Sequence, residues 1–294
     1  MGSGYVLSNM PDLHNPRLIV GVADVGHVSL RAVDYLKNKL GAQEFGHIEP
    51  RRFSMAPWVS VRDGVIEEFE LLRSSFSFCK DAAGGKDLVI FKSEQPTARP
   101  YEYAEAVLDV ARELGVSRVY IVGSFGAAGV THLEPPAVLG VVNMAHLREL
   151  LVDGGIQPYP QYKGIGTIHS SLLWFAKERK VEGVGLWCPI PHYVARLPLP
   201  WNSYPRATLC LVDKLNAMEG LQIETGELQR MTARTEDEMR KLYDQLYEEA
   251  KDELVFPAAE EGADHVEDGL ARMSDEDVKR MMKDIEDFFR KRPQ

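Results

Sequence analysis

Residues 17–24 read RLIVGVAD, a short apolar run that ends in a carboxylate just before Gly26. Such a run is typical of a strand that is buried on both faces of a parallel sheet. Residues 28–40 then carry apolar side chains at the spacing of one helix face, and Gly41 follows as a helix stop. Strand, turn and helix in this order form the first half of a βαβ unit.

The same alternation of strands and helices continues along the chain. We predict further buried strands at residues 87–91, 119–123 and 183–188. Amphipathic helices are predicted at residues 101–114, 170–179 and 208–218. Short helix-to-strand joints of this kind indicate a mostly parallel sheet that is covered by helices on both faces.

Two segments depart from this alternation. Residues 58–72 alternate apolar and polar side chains around Asp63 and Gly64, which predicts a β-hairpin with a positive-φ turn. Five prolines between residues 189 and 205 predict that this stretch has no regular structure.

The C-terminal quarter of the chain differs in charge. Residues 221–294 hold 12 Lys+Arg and 21 Asp+Glu, so they carry −9 of the net charge of −10. Thr235 and Glu238 form a capping-box pattern that predicts a helix start at Thr235. Residues 256–269 are acidic and small, which predicts a flexible linker.

We therefore divide the chain into an α/β domain, residues 1–220, and an acidic amphipathic helical tail, residues 221–294. A second tail helix is predicted to start at Ser274. The apolar stripes of the two tail helices need a surface to pack on. That surface is the domain itself, the other tail helix or a partner.

Composition excludes several classes of protein. No run of about 18 apolar residues is present, and the N-terminus has no secretory signal pattern, so we expect a cytoplasmic protein with no membrane span. The acidic charge and the lack of a basic run argue against a nucleic acid partner. The three cysteines form no CxxC pair and are predicted to be reduced thiols packed as small hydrophobes.

Ligands of open α/β sheets bind at the carboxyl ends of strands, so the loops after the predicted strands are candidate sites. The first loop contains Asp24 and Gly26. These residues either accept a ligand beside the helix N-terminus or only cap the helix and make the turn. The second loop contains Ser124 and Gly126. Because Val122 stands where a G-x-S-x-G nucleophile elbow needs glycine, a backbone turn or nest competes with serine hydrolysis there.

The third loop brings together Trp187, His192 and Tyr193 around two prolines. These side chains line a pocket, form a protein-binding face or simply pack in the interior. We name no catalytic residue. The histidines are scattered singly, without HExxH or HxxxH, and no nucleotide-binding glycine motif occurs, so we predict no metal and no cofactor.

An ordered set of segments resembles the proteasome-assembly-chaperone-2 family over residues 17–220, about two-thirds of the chain. The matching segments are Gly21–Gly26, Ala32–Leu36, Leu40–Ala42, Arg62–Gly64, Tyr103–Gly115, Gly123–His132, Gly185–Trp187 and Pro191–Tyr193. The order and spacing of these segments carry the resemblance, since no single motif is decisive.

The resemblance implies a three-layer α/β/α domain similar to the purine nucleoside phosphorylase fold, here in a prokaryotic member. It also implies self-association, because members of the family commonly form homo-oligomers, and we take a trimer as the candidate form. Eukaryotic members are non-enzymatic chaperones of the proteasome α-ring. Some archaeal relatives dock through a C-terminal hydrophobic–Tyr–any-residue motif. The present sequence reads Arg292-Pro293-Gln294 at that place, so we expect no docking by that route.

Our first hypothesis is a non-enzymatic, assembly-chaperone-like protein that binds a proteasome-like or other oligomeric protein client. The alternative is a small-molecule binding protein or enzyme that uses a phosphorylase-like cleft for a nucleoside or a carboxylate. Its polar groups would be Asp24, Ser124 and His192. A third hypothesis is a purely structural oligomer.

Overall fold

A computed structural model describes residues 4–55, 58–83, 85–127, 130–131, 134–192, 194 and 204–253. In chain order the strands are β1 (Tyr5–Leu7), β2 (Arg17–Val22), β3 (Gln43–Ile48), β4 (Trp58–Arg62), β5 (Val65–Glu70), β6 (Ser74–Ala83), β7 (Lys86–Ser93), β8 (Arg118–Ala127), β9 (Leu139–Val142), β10 (Gln157–Pro158) and β11 (Glu182–Pro191). The α-helices are α1 (Val28–Lys39), α2 (Pro50–Phe53), α3 (Pro100–Glu113), α4 (Arg148–Asp153), α5 (Ile168–Glu178), α6 (Pro205–Glu219) and α7 (Gly226–Glu253). None of these helices is long and apolar enough to cross a membrane.

Nine of the strands form one sheet in the order β1-β3-β6-β7-β2-β8-β11-β9-β10. The four central strands, β7, β2, β8 and β11, run parallel to one another. On one side β6, β3 and β1 add an antiparallel edge, and on the other side β9 pairs antiparallel with β11. The predicted parallel centre is confirmed. The antiparallel edge strands were not predicted.

Helices cover both faces of the sheet. Successive residues of β2 alternate between two hydrophobic cores, with Ile19 in one core and Leu18 and Val20 in the other. The first core is completed by α1 and α6, and the second by α3 and α5. This alternation is what a strand buried on both faces requires. The three-layer α/β/α fold implied by the resemblance is therefore confirmed.

The predicted hairpin is present as β4 and β5, which pair only with each other and form a separate two-stranded sheet. Asp63 and Gly64 both have positive φ, 50° and 79°, as the two-residue turn between β4 and β5 requires.

The prediction of irregular structure from residue 189 was wrong at its start, because β11 continues through Pro189 to Pro191. Strand β9 pairs with β11 only as far as Trp187, whereas β8 pairs along the whole of β11. Beyond Trp187 this edge of β11 pairs with no described strand. Prolines two residues apart direct their missing N–H groups to the same side, so an open edge tolerates both.

The described part of the tail packs on the domain. Helix α7 begins at Gly226, so the helix start predicted at Thr235 was wrong and Thr235 lies inside α7. Leu228 and Met239 are 3% and 4% exposed and belong to the same core as α6. The predicted linker at residues 256–269 and the rest of the tail lie outside the described residues. The division at residue 220 stays a prediction.

Candidate functional site

The loop after β2 is held by its own hydrogen bonds. The Asp24 carboxylate accepts the backbone N–H of Ser29 at 3.1 Å, and the Ser29 hydroxyl donates to the carbonyl of Val22 at 2.5 Å. Gly26 has φ of 71°, a left-handed conformation that favours glycine. Asp24 thus accepts an N–H of the first turn of α1, and Gly26 makes the turn before the helix. These are the cap and turn that the sequence offered as the alternative to a ligand site.

Asp24 also meets the second predicted loop. The hydroxyl of Ser124 donates to Asp24 Oδ2 at 2.8 Å and lies close to the carbonyl oxygen of Val25. Strands β2 and β8 are parallel neighbours, so the residues after them lie at the same end of the sheet. The structure therefore brings Asp24 and Ser124 together.

Burial raises the pKa of Asp24 to about 6, although hydrogen bonds from Ser124 and Ser29 act in the opposite direction. The carboxyl group is therefore ionised at neutral pH. It is also close to titration under mildly acidic conditions.

Trp187, from the third predicted loop, lies beside these residues. Its ring folds back over Gly185, where a Cβ atom would lie 1.9 Å from Trp187 Cζ3. Only glycine permits this approach. The ring of Tyr159 lies across the indole of Trp187, with 6.2 Å between ring centroids.

The other predicted site residues do not join this group. His192 follows β11 and is half-buried, and Gly126 is exposed on β8 opposite Ile190. Neither residue lines the cavity described below. Tyr193 lies outside the described residues.

A cavity of about 840 Å³ opens between α5 and the carboxyl ends of β2, β8 and β11. Its volume lies within the range of small-molecule binding pockets. The lining includes Asp24, Ser124 and Trp187, with Tyr159, Tyr162 and Trp174 as further aromatic walls. Two of the three polar groups of the small-molecule hypothesis, Asp24 and Ser124, therefore share one cavity.

Sequence reasoning missed His169, which also lines the cavity. It is the second residue of α5 and is 5% exposed. Burial lowers its pKa to about 4, and its Nε2 has no hydrogen-bond partner among the described atoms. A capping box formed by Thr167 and Ser170 places His169 in the first turn of α5. This capping-box pattern was the sequence signal that could have singled out His169 among eight scattered histidines.

Sequence reasoning also missed a cluster of charges at the opposite end of the sheet. The Glu219 side chain, 2% exposed, lies 3.3 Å from Lys86 Nζ and 3.7 Å from both Arg17 and Arg118. The hydroxyl of Tyr120 also donates to it. A carboxylate this deeply buried needs such partners. The cluster therefore fixes the end of α6 to the amino ends of β2, β7 and β8.

Among the described residues, no group of three or more His, Cys, Asp or Glu side chains is placed to hold a metal ion. The described thiols of Cys79, Cys188 and Cys210 are free.

A sheet with a parallel centre, helices on both faces and a cavity at the carboxyl ends of its strands defines an α/β/α protein of the open-sheet class. The sequence model of the PAC2 family matches residues 18–243, more than three-quarters of the chain. The chain belongs to the PAC2 family, and the predicted resemblance is confirmed.

Solved structures share this fold. PbaB of Pyrococcus furiosus, an archaeal proteasome activator, is 21% identical with a TM-score of 0.66, over 81% of this chain and 98% of that one. A proteasome-assembly chaperone homologue of Mycobacterium tuberculosis is 22% identical with a TM-score of 0.64, over 76% and 94% of the two chains. A PAC2 family protein of Streptomyces avermitilis is 24% identical with a TM-score of 0.65, over 82% and 100%. No curated protein matches the chain in sequence.

Proposed function

We propose that this protein is a non-enzymatic, assembly-chaperone-like protein that binds a proteasome-like or other oligomeric protein client. Membership of the PAC2 family supports this proposal, as does the shared fold with an archaeal proteasome activator and a mycobacterial proteasome-assembly chaperone homologue. The observation that carries it is an apolar surface on the β4–β5 hairpin.

One face of this hairpin is apolar and exposed. Val59 pairs with Phe69 and Val61 pairs with Ile66, so these four side chains share a face. Their exposed fractions are 46%, 62%, 61% and 65% in that order. We call this face the hairpin apolar face.

An apolar surface of this kind is unfavourable in water, at roughly 25 cal/mol for each Å² that a partner would cover. Contiguous exposed apolar patches mark protein-interaction sites in soluble proteins. Neither strand of the hairpin is paired with the large sheet, so the outer edge of each strand pairs with no other described strand. A protein client is the occupant we assign to it.

The proposal includes self-association. We expect a closed homo-oligomer in the cytoplasm, because most soluble homo-oligomers have closed point-group symmetry. A trimer, the candidate form taken from the family resemblance, is the form to test first. The oligomer would present several copies of the hairpin apolar face to a client that is itself oligomeric.

The test is native mass spectrometry of the protein purified gently from its own cells. Wild-type protein should carry a stoichiometric protein partner. Ile66→Ser and Phe69→Ser should lose that partner and still fold, because both side chains are already in solvent. Val65→Ser is the matched control, since Val65 is 63% exposed but pairs with Arg62 on the opposite face. Recovery of the same partner with all three variants would contradict the proposal.

A second candidate function is small-molecule binding or catalysis in the cavity that Asp24, Ser124 and Trp187 line. The cavity itself favours this candidate. The absence of His192 from the described lining weighs against a catalytic role built on that histidine.

A further inference from the structure

We propose that the cavity between α5 and the carboxyl ends of β2, β8 and β11 binds a small organic cation, an amine or guanidine with an apolar or aromatic body. This inference deepens the second candidate function. It does not depend on client binding, because the cavity and the hairpin apolar face share no residue.

The cavity walls suit a flat or apolar body with a positive charge. Tyr159 is the centre of an aromatic group, with its ring centroid 5.8 Å from Phe125, 6.2 Å from Trp187 and 6.3 Å from Tyr162. The faces of tyrosine and tryptophan rings attract cations through their quadrupoles. The walls therefore offer apolar contact and attraction for a cation together.

Three polar side chains that line the cavity already donate hydrogen bonds within the protein. The Ser124 hydroxyl donates to Asp24. The Gln95 side-chain amide donates to the carbonyl of Ala23 at 2.5 Å, and the Asn143 amide donates to the carbonyl of Val181 at 2.9 Å. A ligand that needs the Ser124 hydroxyl as a donor would have to break a bond within the protein, and each amide has already committed one of its two N–H groups.

Acceptors, in contrast, suit a cation. The Asp24 carboxylate already accepts hydrogen bonds from Ser29 and Ser124, and an ionised carboxylate that is hydrogen-bonded in this way still attracts a cation, which can share its oxygen atoms. His169 supplies a second acceptor. A hydrogen bond with the backbone of Val22 raises the pKa of His169, so a ring N–H makes that bond, and the nitrogen left without a partner is Nε2. An unprotonated Nε2 accepts a hydrogen bond.

The charged side chains of the lining favour a positively charged ligand. Asp24 and Lys177 are the charged side chains among the described lining residues. Lys177 is exposed at the rim, where its Nζ lies 5.3 Å from the centre of the Trp174 ring. A carboxylate or phosphate would meet ionised Asp24 without a buried cation beside it. An amine would instead balance the charge of Asp24 and donate a hydrogen bond to its carboxylate or to His169 Nε2.

The test measures binding of four probes to the purified wild-type protein by isothermal titration calorimetry. The cations are 2-phenylethylamine and benzamidine, and the comparison probes are 3-phenylpropanoate, of similar shape, and adenosine. At least one cation should bind about tenfold or more tightly than the anion and the nucleoside. Tighter binding of 3-phenylpropanoate or adenosine would overturn the proposal, and so would saturation by none of the four probes at millimolar concentration.

Variants of the cavity residues test whether the cation binds in the cavity. Asp24→Asn keeps the shape and removes the charge, so it should weaken cation binding about tenfold. Tyr159→Leu should weaken it as well, which keeps the test informative if the first variant folds poorly. Ile66→Ser should bind the cation as the wild type does, even where client binding is lost. Unchanged binding in both cavity variants would locate the cation elsewhere and contradict the proposal.

Discussion

At the scale of single residues, Asp24 and His169 occupy one cavity and respond to acid in opposite ways. The pKa of Asp24 is raised from 3.8 to about 6, so the folded chain takes up this proton before the unfolded chain does. Asp24 therefore makes the protein more stable as the pH falls from about 6 towards 3.8. The pKa of His169 is lowered from 6.5 to about 4, so His169 makes the protein less stable as the pH falls through that interval.

Replacing Asp24 with asparagine isolates one of these effects. The amide still accepts the Ser29 N–H but carries no charge to desolvate. At pH 7 we expect Asp24→Asn to raise the free energy of unfolding by about 3 kcal/mol, and most of this advantage should be lost near pH 4. Urea unfolding of the variant and the wild type at pH 7 and pH 4 measures this difference in the free energy of unfolding. Equal stability of the variant and the wild type at pH 7 would contradict the raised pKa.

Replacing His169 with glutamine isolates the other effect. Wild-type protein should lose about 3 kcal/mol through His169 as the pH falls from 6.5 to 4. The variant has no imidazole and should lose correspondingly less over the same interval, whatever its stability at pH 7. The observable is the slope of unfolding free energy against pH, and parallel slopes would show that His169 is protonated normally in the folded chain.

At the scale of elements, α7 decides where the folded domain ends. Leu228 and Met239 lie in the core that α6 completes, and Glu227 pairs with Lys39 of α1 at 2.8 Å. The capping-box pattern at Thr235 was misleading because the helix had already begun at Gly226. Local capping patterns cannot reveal a helix that tertiary packing extends towards its N-terminus.

A pair of leucine and methionine variants measures this packing. Leu228→Ala should lower the free energy of unfolding by about 2–4 kcal/mol, because a side chain 3% exposed leaves a cavity. Met231→Ala is the control in the same helix, since Met231 is 38% exposed and should cost less than about 1 kcal/mol. Chemical denaturation provides both values. Equal small losses would support a domain that ends near residue 220.

At the scale of the whole molecule, the central sheet could be predicted because its strands are continuous apolar runs, such as residues 17–24 and 119–123. Strand β6 was missed although serines alternate with Phe76 and Phe78 as in a half-buried strand, and its pairing with β7 and β3 places it in the sheet. Pro189 and Pro191 look incompatible with a strand until the end of β9 leaves that edge open.

In the candidate site, too, some residues could be predicted from the sequence and others could not. That Asp24 and Ser124 lie at one edge of the sheet could be predicted, because each follows a predicted parallel strand, whereas their contact depends on the pairing of β2 with β8. His169 could not, since its place depends on how α5 packs across the sheet. The Tyr159 wall was also missed, because residues 159–167 carry no periodic pattern that fixes their position.

The buried carboxylate of Glu219 sets a condition on how the protein is made. Its partners Arg17, Lys86 and Arg118 leave the ribosome long before residue 219 does. Until Glu219 has been synthesised, these three cations lie at the amino ends of their strands without the carboxylate that they share. One face of the sheet also stays uncovered, because α6 is not yet complete. A nascent chain can form βα units early. The complete sheet acquires its native electrostatics only after about three-quarters of the chain has been synthesised, so this protein should reach its native state late in translation.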